Sequence, residues 1–116
     1  MPRTKRVQGE YRVGDGDVTL RITVGDGQIG TSLVRLDDQD VASGAIAMLV
    51  VGSGPALVGR RLRVATTVTD VQRLTNRTSM RYLLSGGPDD ATFDAAAEVE
   101  EEGGSIHYAA RFDFIA

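Results

Sequence analysis

The sequence predicts an all-β protein, a single-domain antiparallel β-sandwich of about eight strands spanning residues 1–116. Most of the chain alternates apolar and polar residues with a period of two, as strands with one buried face do. Turn residues (Gly, Asp, Asn and Pro) recur about every 8–12 residues, the spacing typical of sandwiches. The expected architecture is immunoglobulin-like or jelly-roll, although the cysteines and tryptophan of antibody domains are absent. A flattened barrel is the alternative, because closure would also remove the sheet edges.

The first third of the chain predicts a three-strand meander. Asp15-Gly16 and Asp26-Gly27 have the composition of two-residue type I′ turns, which need a positive φ at both positions. If both turns form, the apolar residues of the three strands fall on one face of a sheet. That face contains Val7, Tyr11, Val13, Val18, Leu20, Ile22, Val24, Ile29, Thr31 and Leu33, and Ser32 lies on the opposite, polar face. We therefore expect the side chains of the apolar face to be buried.

Residues 37–59 are the least regular part of the sequence. Asp37, Asp38 and Asp40 form an acidic turn. The short apolar run 45–51 ends at a glycine-rich segment and favours a buried strand. An alternative is a helix, because some of its apolar residues are spaced at i, i+3 and i+4.

Two hairpins are expected in the second half of the chain. The first spans residues 60–85, with a loop at 72–76, and places Val64 opposite Leu84 and Thr66 opposite Tyr82. The second turns at Glu102-Gly103. Its register places Asp94 opposite Arg111 and Glu98 opposite His107, so that opposite charges meet across the strands.

Composition argues against catalysis. The chain has one histidine and no cysteine, which excludes disulfides and cysteine-ligated metal sites. His107 has Glu98 as an orienting carboxylate, but no motif marks a nucleophile. Asp37, Asp38 and Asp40 lack the spacing of a calcium loop. We therefore expect a protein that is not an enzyme and has no metal or cofactor.

The strongest candidate site is an arginine face on the central hairpin, formed by Arg61, Arg63, Arg77 and Arg81. Guanidinium groups bind anions through paired hydrogen bonds. The competing interpretations are ordinary solvated charge and pairing with the seven carboxylates of residues 88–104, a segment without a basic residue. No aromatic side chain interrupts this face, which argues against single-stranded nucleic acid as a partner.

These patterns predict a binding or assembly module that self-associates through its sheet surfaces as a homo-oligomer. The alternative is a carrier that binds a small apolar or amphipathic molecule between the sheets, with Tyr11, Tyr82 and Tyr108 lining the cavity. The longest apolar run, 45–51, is too short to span a membrane, and no signal peptide is evident, so we expect a soluble, cytoplasmic protein. Twelve arginines against one lysine are typical of a GC-rich bacterial genome.

Overall fold

The computed structural model describes residues 3–25, 28–69, 77–98 and 104–116. These ranges contain nine strands and one short helix. The elements are β1 (Arg3–Arg12), β2 (Asp17–Val24), β3 (Ile29–Leu36), β4 (Gln39–Gly44), β5 (Met48–Ser53), α1 (Gly54–Leu57), β6 (Arg61–Thr69), β7 (Arg77–Ser85), β8 (Ala91–Glu98) and β9 (Ser105–Ile115).

The strands form two packed sheets. The five-stranded sheet has the order β1-β9-β6-β3-β4, and the four-stranded sheet has the order β5-β2-β7-β8. All pairings are antiparallel except that of β1 with β9, the first and last described strands, which run parallel. Each sheet keeps two open edges, so the predicted all-β sandwich is confirmed and a closed barrel is wrong.

The period-two alternation correctly predicts which side chains of most strands face the core, but the face predicted for β3 is wrong. Ser32 and Val34 are buried there, whereas Thr31 is exposed and Leu33 lies on the outer face, because β3 does not form the expected hairpin with β2. Residues of both sheets fill the space between them, with the largest fully buried side chains at Tyr82, Tyr108, Phe112 and Phe114. The predicted apolar face of the first third is buried from Tyr11 to Ile22 at every expected position, and Val24 packs against the core while partly exposed. Burial of one face therefore decides the orientation of each strand.

The predicted pairing of the strands is wrong. β2 lies in the four-stranded sheet while β1 and β3 lie in the other, so no meander forms. The two predicted hairpins fail in the same way, because β6 is separated from β7, and β8 from β9, by the core. Among consecutive described strands, β3–β4 and β7–β8 alone pair as hairpins. A connection that crosses the core also keeps the apolar face inward, so the alternation is the same in both cases.

The turns show how the chain changes sheet. Asp15 and Gly16 lie in a bend between the two sheets, and Asp37 is the single non-glycine residue of the described ranges with a positive φ, at 54°. A type I′ turn at Asp15-Gly16 is therefore wrong. The Asp26-Gly27 turn, the 72–76 loop and the Glu102-Gly103 turn lie outside the described residues.

The irregular segment 37–59 resolves into a hairpin and a strand. Asp37 and Asp38 form the turn between β3 and β4, and the strand favoured for residues 45–51 is found as β5, which begins at Met48. Its expected burial is wrong, since Met48 and Val50 are exposed at the edge of the sheet. The register of both pairs is irregular, with shifts at Val34/Arg35 and at Val18/Thr19. Such bulges twist an edge strand away from further pairing.

Close backbone contact holds the start of α1 against the β1–β2 bend. The backbone N–H of Gly54 donates to the carbonyl oxygen of Gly16 at 2.9 Å. A Cβ atom at Gly54 would overlap the carbonyl oxygen of Gly14, and backbone gives way less easily than a side-chain tip. A glycine is therefore required at this crossing.

We expect Gly54→Ala to lower the free energy of unfolding by about 1–3 kcal/mol, because the added methyl overpacks a backbone contact. Gly52→Ala is the matched control, since its Cβ would lie 3.5 Å from Leu57, an ordinary contact distance. Urea denaturation of both variants measures the difference. Equal stability of the two variants would contradict the assigned crossing.

Candidate functional site

The four arginines of the predicted face do not share a surface. Arg61 and Arg63 lie on β6, and Arg77 and Arg81 lie on β7, on strands of opposite sheets. In both strands the inward positions alternate with the arginines, so the two pairs project from opposite outer faces of the sandwich. The predicted arginine face is therefore wrong as a single site, because it depended on pairing β6 with β7.

The arginines of β7 are matched by the acidic strand beside them. Arg81 Nε donates to Asp94 at 2.8 Å, and this hydrogen bond raises the pKa of Arg81. Arg77 lies opposite Glu98 in the same register. Arg81 is thus paired with a carboxylate of the acidic segment 88–104, as one of the competing interpretations expected.

A different row of arginines crosses the outer face of the five-stranded sheet. Arg35 on β3 lies directly opposite Arg63 on β6, and Arg63 lies directly opposite Arg111 on β9. Gln8 on β1 continues the row beyond Arg111. Adjacent strands are about 4.8 Å apart, so three guanidinium groups are anchored within about 10 Å. Like charges in this arrangement repel one another.

The neighbours of this arginine row (Arg35, Arg63 and Arg111) neutralise it incompletely. Arg35 Nε donates to Asp40 at 2.6 Å, and this contact raises the pKa of Arg35. Arg111 Nη2 donates to Gln8 at 3.1 Å, while Arg111 Nε is buried without a hydrogen-bond partner. The side chain of Arg63 is exposed and forms no hydrogen bond or ion pair with a described residue. Positive charge therefore remains at the centre of the row.

An apolar floor lies beside the arginine row. In register, Leu33, Ala65 and Ala109 follow one another across β3, β6 and β9, and Arg6 on β1 ends this second row. Because alanine side chains are short, the surface is recessed between the longer arginines. The resulting groove has a volume of about 380 Å³, within the range of small-molecule sites. We call it the arginine groove: the arginine row, Gln8, the apolar floor and Arg6.

One side of the groove is bounded by matched acid–base pairs. Arg61 donates to Asp113 at 2.7 Å, and Arg60 donates to Asp37 at 2.8 Å. The backbone N–H of Arg61 also donates to Asp37 at 3.0 Å. The Arg60 hydrogen bond, and then the Arg61 backbone hydrogen bond, lower the pKa of Asp37. These arginines are neutralised by their carboxylate partners, so this side of the groove offers an anion no uncompensated cation.

His107 lies on the far side of the apolar floor. Its Nδ1 and Thr67 Oγ1 form a hydrogen bond of 2.8 Å. Glu98 belongs to β8 in the opposite sheet, so the predicted contacts of His107 with Glu98 and of Arg111 with Asp94 are both wrong. Within the described ranges, no group of three or more histidine, aspartate or glutamate side chains is placed to hold a metal ion.

The three tyrosines proposed to line an internal cavity are buried and use their hydroxyls within the protein. Tyr11 donates to the carbonyl of Asp89 and accepts from the N–H of Gly87, both at 2.8 Å. Tyr82 donates to Thr66 at 3.1 Å, and its burial raises its pKa to about 12. Tyr108 and Thr78 are hydrogen-bonded at 2.6 Å. The Tyr82–Thr66 and Tyr108–Thr78 hydrogen bonds connect the two sheets across the core.

The arginine groove gathers residues that are distant in sequence. Alternation predicts that Arg63 and Arg111 point outward, but the register expected for the third strand puts Leu33 inward and therefore misses the outward position of Arg35. Only the strand order makes the three arginines neighbours. Comparisons with models of known protein families, with curated proteins and with solved structures find no match. None of the described helical residues forms a segment long and apolar enough to cross a membrane.

We expect Arg63→Gln to raise the melting temperature by about 1–3 °C at low salt, because it relieves repulsion by Arg35 and Arg111. The gain should shrink at high salt, where charges are screened. Arg61→Gln is the matched control, since it removes the same charge from a paired arginine and should give no gain. Differential scanning calorimetry at two salt concentrations measures both. Destabilisation by Arg63→Gln would show that Arg63 has a structural partner.

Proposed function

We propose that this protein is a non-enzymatic binding module that holds a small anion in the arginine groove. The observation that supports the proposal is Arg63, a cation without a described partner between two other arginines in register. Aligned arginines destabilise a sheet unless an anion lies between them. Guanidinium groups bind carboxylates and phosphates by paired, charge-assisted hydrogen bonds. A bound anion would therefore replace repulsion with attraction.

The shape of the groove supports a small ligand over a nucleic acid. Its volume of about 380 Å³ suits a compact molecule. None of the described residues that line it is aromatic, so bases would lack a stacking surface there. Arg111 supplies a second supporting feature, because a buried donor without a partner costs about 1–3 kcal/mol. An anion that draws this guanidinium into the groove would satisfy that donor.

The proposal of a non-enzymatic role follows from the groove's side chains. Arginine, alanine and leucine side chains can bind and orient a ligand, but none of them is a suitable proton acceptor at neutral pH. The imidazole of His107 already forms a hydrogen bond with Thr67. A ligand carried between the sheets stays a prediction, and the internal hydrogen bonds of Tyr82 and Tyr108 favour the outer groove over the interior.

We expect inorganic phosphate to bind the native protein with an affinity that falls as salt rises. The double variant Arg63→Gln/Arg111→Gln should weaken binding by roughly tenfold or more, because charge-assisted hydrogen bonds are lost. Arg81→Gln removes a charge from the opposite outer face and should leave binding unchanged. Isothermal titration calorimetry measures all three proteins. Equal loss in the control and the double variant would exclude the groove as the site.

A second candidate function, self-association, is favoured by a separate surface. Residues 41–59 contain no charged residue, and they include most of β4 and all of β5, the two strands of one sandwich edge. Val41, Met48 and Val50 are 45%, 57% and 56% exposed, and the one charged residue of these two strands, Asp40, is paired with Arg35. The bulges in β4 and β5 disfavour direct strand addition. We therefore propose contact through the outward side chains.

If this edge self-associates, light scattering should give a mass above the 12.4 kDa of one chain. Met48→Lys/Val50→Lys should return the mass to that of a monomer, because buried unpaired charge is costly in an interface. Thr92→Lys on β8, the other edge of the same sheet, is the matched control and should leave the mass unchanged. A monomeric native protein at high concentration would contradict this candidate.

A further inference from the structure

We infer that the arginine groove is selective for a dianion, a small dicarboxylate whose two acidic groups are joined by a short apolar chain. This inference rests on the proposed anion-binding function and specifies its ligand. It follows from the placement of cations on two sides of the apolar floor, with the arginine row along its length and Arg6 at its β1 end. A single carboxylate needs one such cation, whereas the groove supplies cations on two sides.

Arg6 is the cation on the second side of the apolar floor. It lies directly opposite Ala109 in register, and Ala109 in turn lies opposite Ala65. Arg6 lines the groove, is exposed, and makes no ion pair with any carboxylate in the described ranges. It is therefore a second uncompensated cation, separated from Arg63 by two small apolar side chains.

The sheet geometry sets the distance between the two cations. Arg6 and Arg63 are separated by two strand spacings and by two residues along the strand direction. With about 4.8 Å between strands and about 3.3 Å per residue, their Cα atoms lie about 12 Å apart. A linear dicarboxylate with a few methylene groups is of the length needed to bridge two arginine side chains anchored at this separation.

The residues around the groove determine how a bound dicarboxylate would be oriented. Beyond the arginine row, Arg61 and Arg60 are already paired with Asp113 and Asp37, so an anion that extends in that direction finds no free cation. A carboxylate held by Arg63 therefore directs the rest of the molecule over Ala65 and Ala109. These methyl groups favour contact with methylene groups, since burial of apolar surface contributes about 25 cal/mol per Å². An apolar spacer is preferred there to a charged or hydroxylated one.

The test compares straight-chain diacids with monoacids of the same carbon number. Succinate, glutarate, adipate and pimelate are titrated against butanoate, pentanoate, hexanoate and heptanoate by calorimetry at constant ionic strength. We expect one diacid of intermediate length to bind about tenfold more tightly than its monoacid, because a second charge-assisted contact forms. Arg6→Gln should remove that advantage, so that diacid and monoacid bind the variant about equally. Arg63→Gln should weaken both.

Lys5→Gln is the matched control for Arg6→Gln. Lys5 precedes Arg6 on β1 and lies opposite Tyr108, an inward position, so its side chain does not share the outer face with the groove. The variant removes the same charge and should keep the diacid preference.

The outcomes separate the inference from the function on which it rests. If diacids and monoacids bind equally, or if Arg6→Gln weakens both equally, the dianion inference is overturned while anion binding stands. If phosphate binds but no carboxylate does, the inference is likewise overturned. If neither phosphate nor any carboxylate binds the native protein, the proposed function falls as well.

Discussion

The structure depends on burial of one face of every long strand between two sheets. Period-two alternation directs the apolar side chains inward, and the same geometry directs the intervening polar residues outward in register. The arginine groove is a direct result, because Arg35, Arg63 and Arg111 occupy equivalent outward positions on three adjacent strands. The residues beside them in those strands, Val34, Val64 and Ala110, are buried in the core. The same alternation of residues therefore buries the core and places the arginines of the groove on the surface.

Alternation determines which face of a sheet a side chain lies on, but it does not determine which residue of another strand lies beside it. The sequence therefore predicts that Tyr82 is buried and that Arg63 faces outward, and both are found. It does not predict that Arg63 lies beside Arg111, because a hairpin and a crossing over the core have the same apolar pattern. The expected His107–Glu98 contact fails for this reason. The short hairpin turn at Asp37-Asp38 can be found locally, whereas strand order depends on long-range packing.

Buried hydrogen bonds between the two sheets stabilise the sandwich on which the groove lies. Across the core, the hydroxyls of Tyr82 and Thr66 and those of Tyr108 and Thr78 join the two sheets. Buried hydrogen bonds of this kind specify one arrangement, since any shift would leave a hydroxyl without a partner. On the surface, paired carboxylates neutralise the arginines around the groove. The uncompensated charge is thereby confined to a few positions on a rigid surface.

The parallel pairing of β1 with β9 also connects the groove to how the chain folds. Gln8 and Arg111 are 103 residues apart in sequence, yet they are hydrogen-bonded neighbours in the groove. Contacts of such high sequence separation are entropically costly to form and slow the folding of β proteins. The groove is complete only once the first and last described strands have met. A ligand held there would therefore select fully folded chains and oppose the detachment of β1, the strand at the sheet's edge.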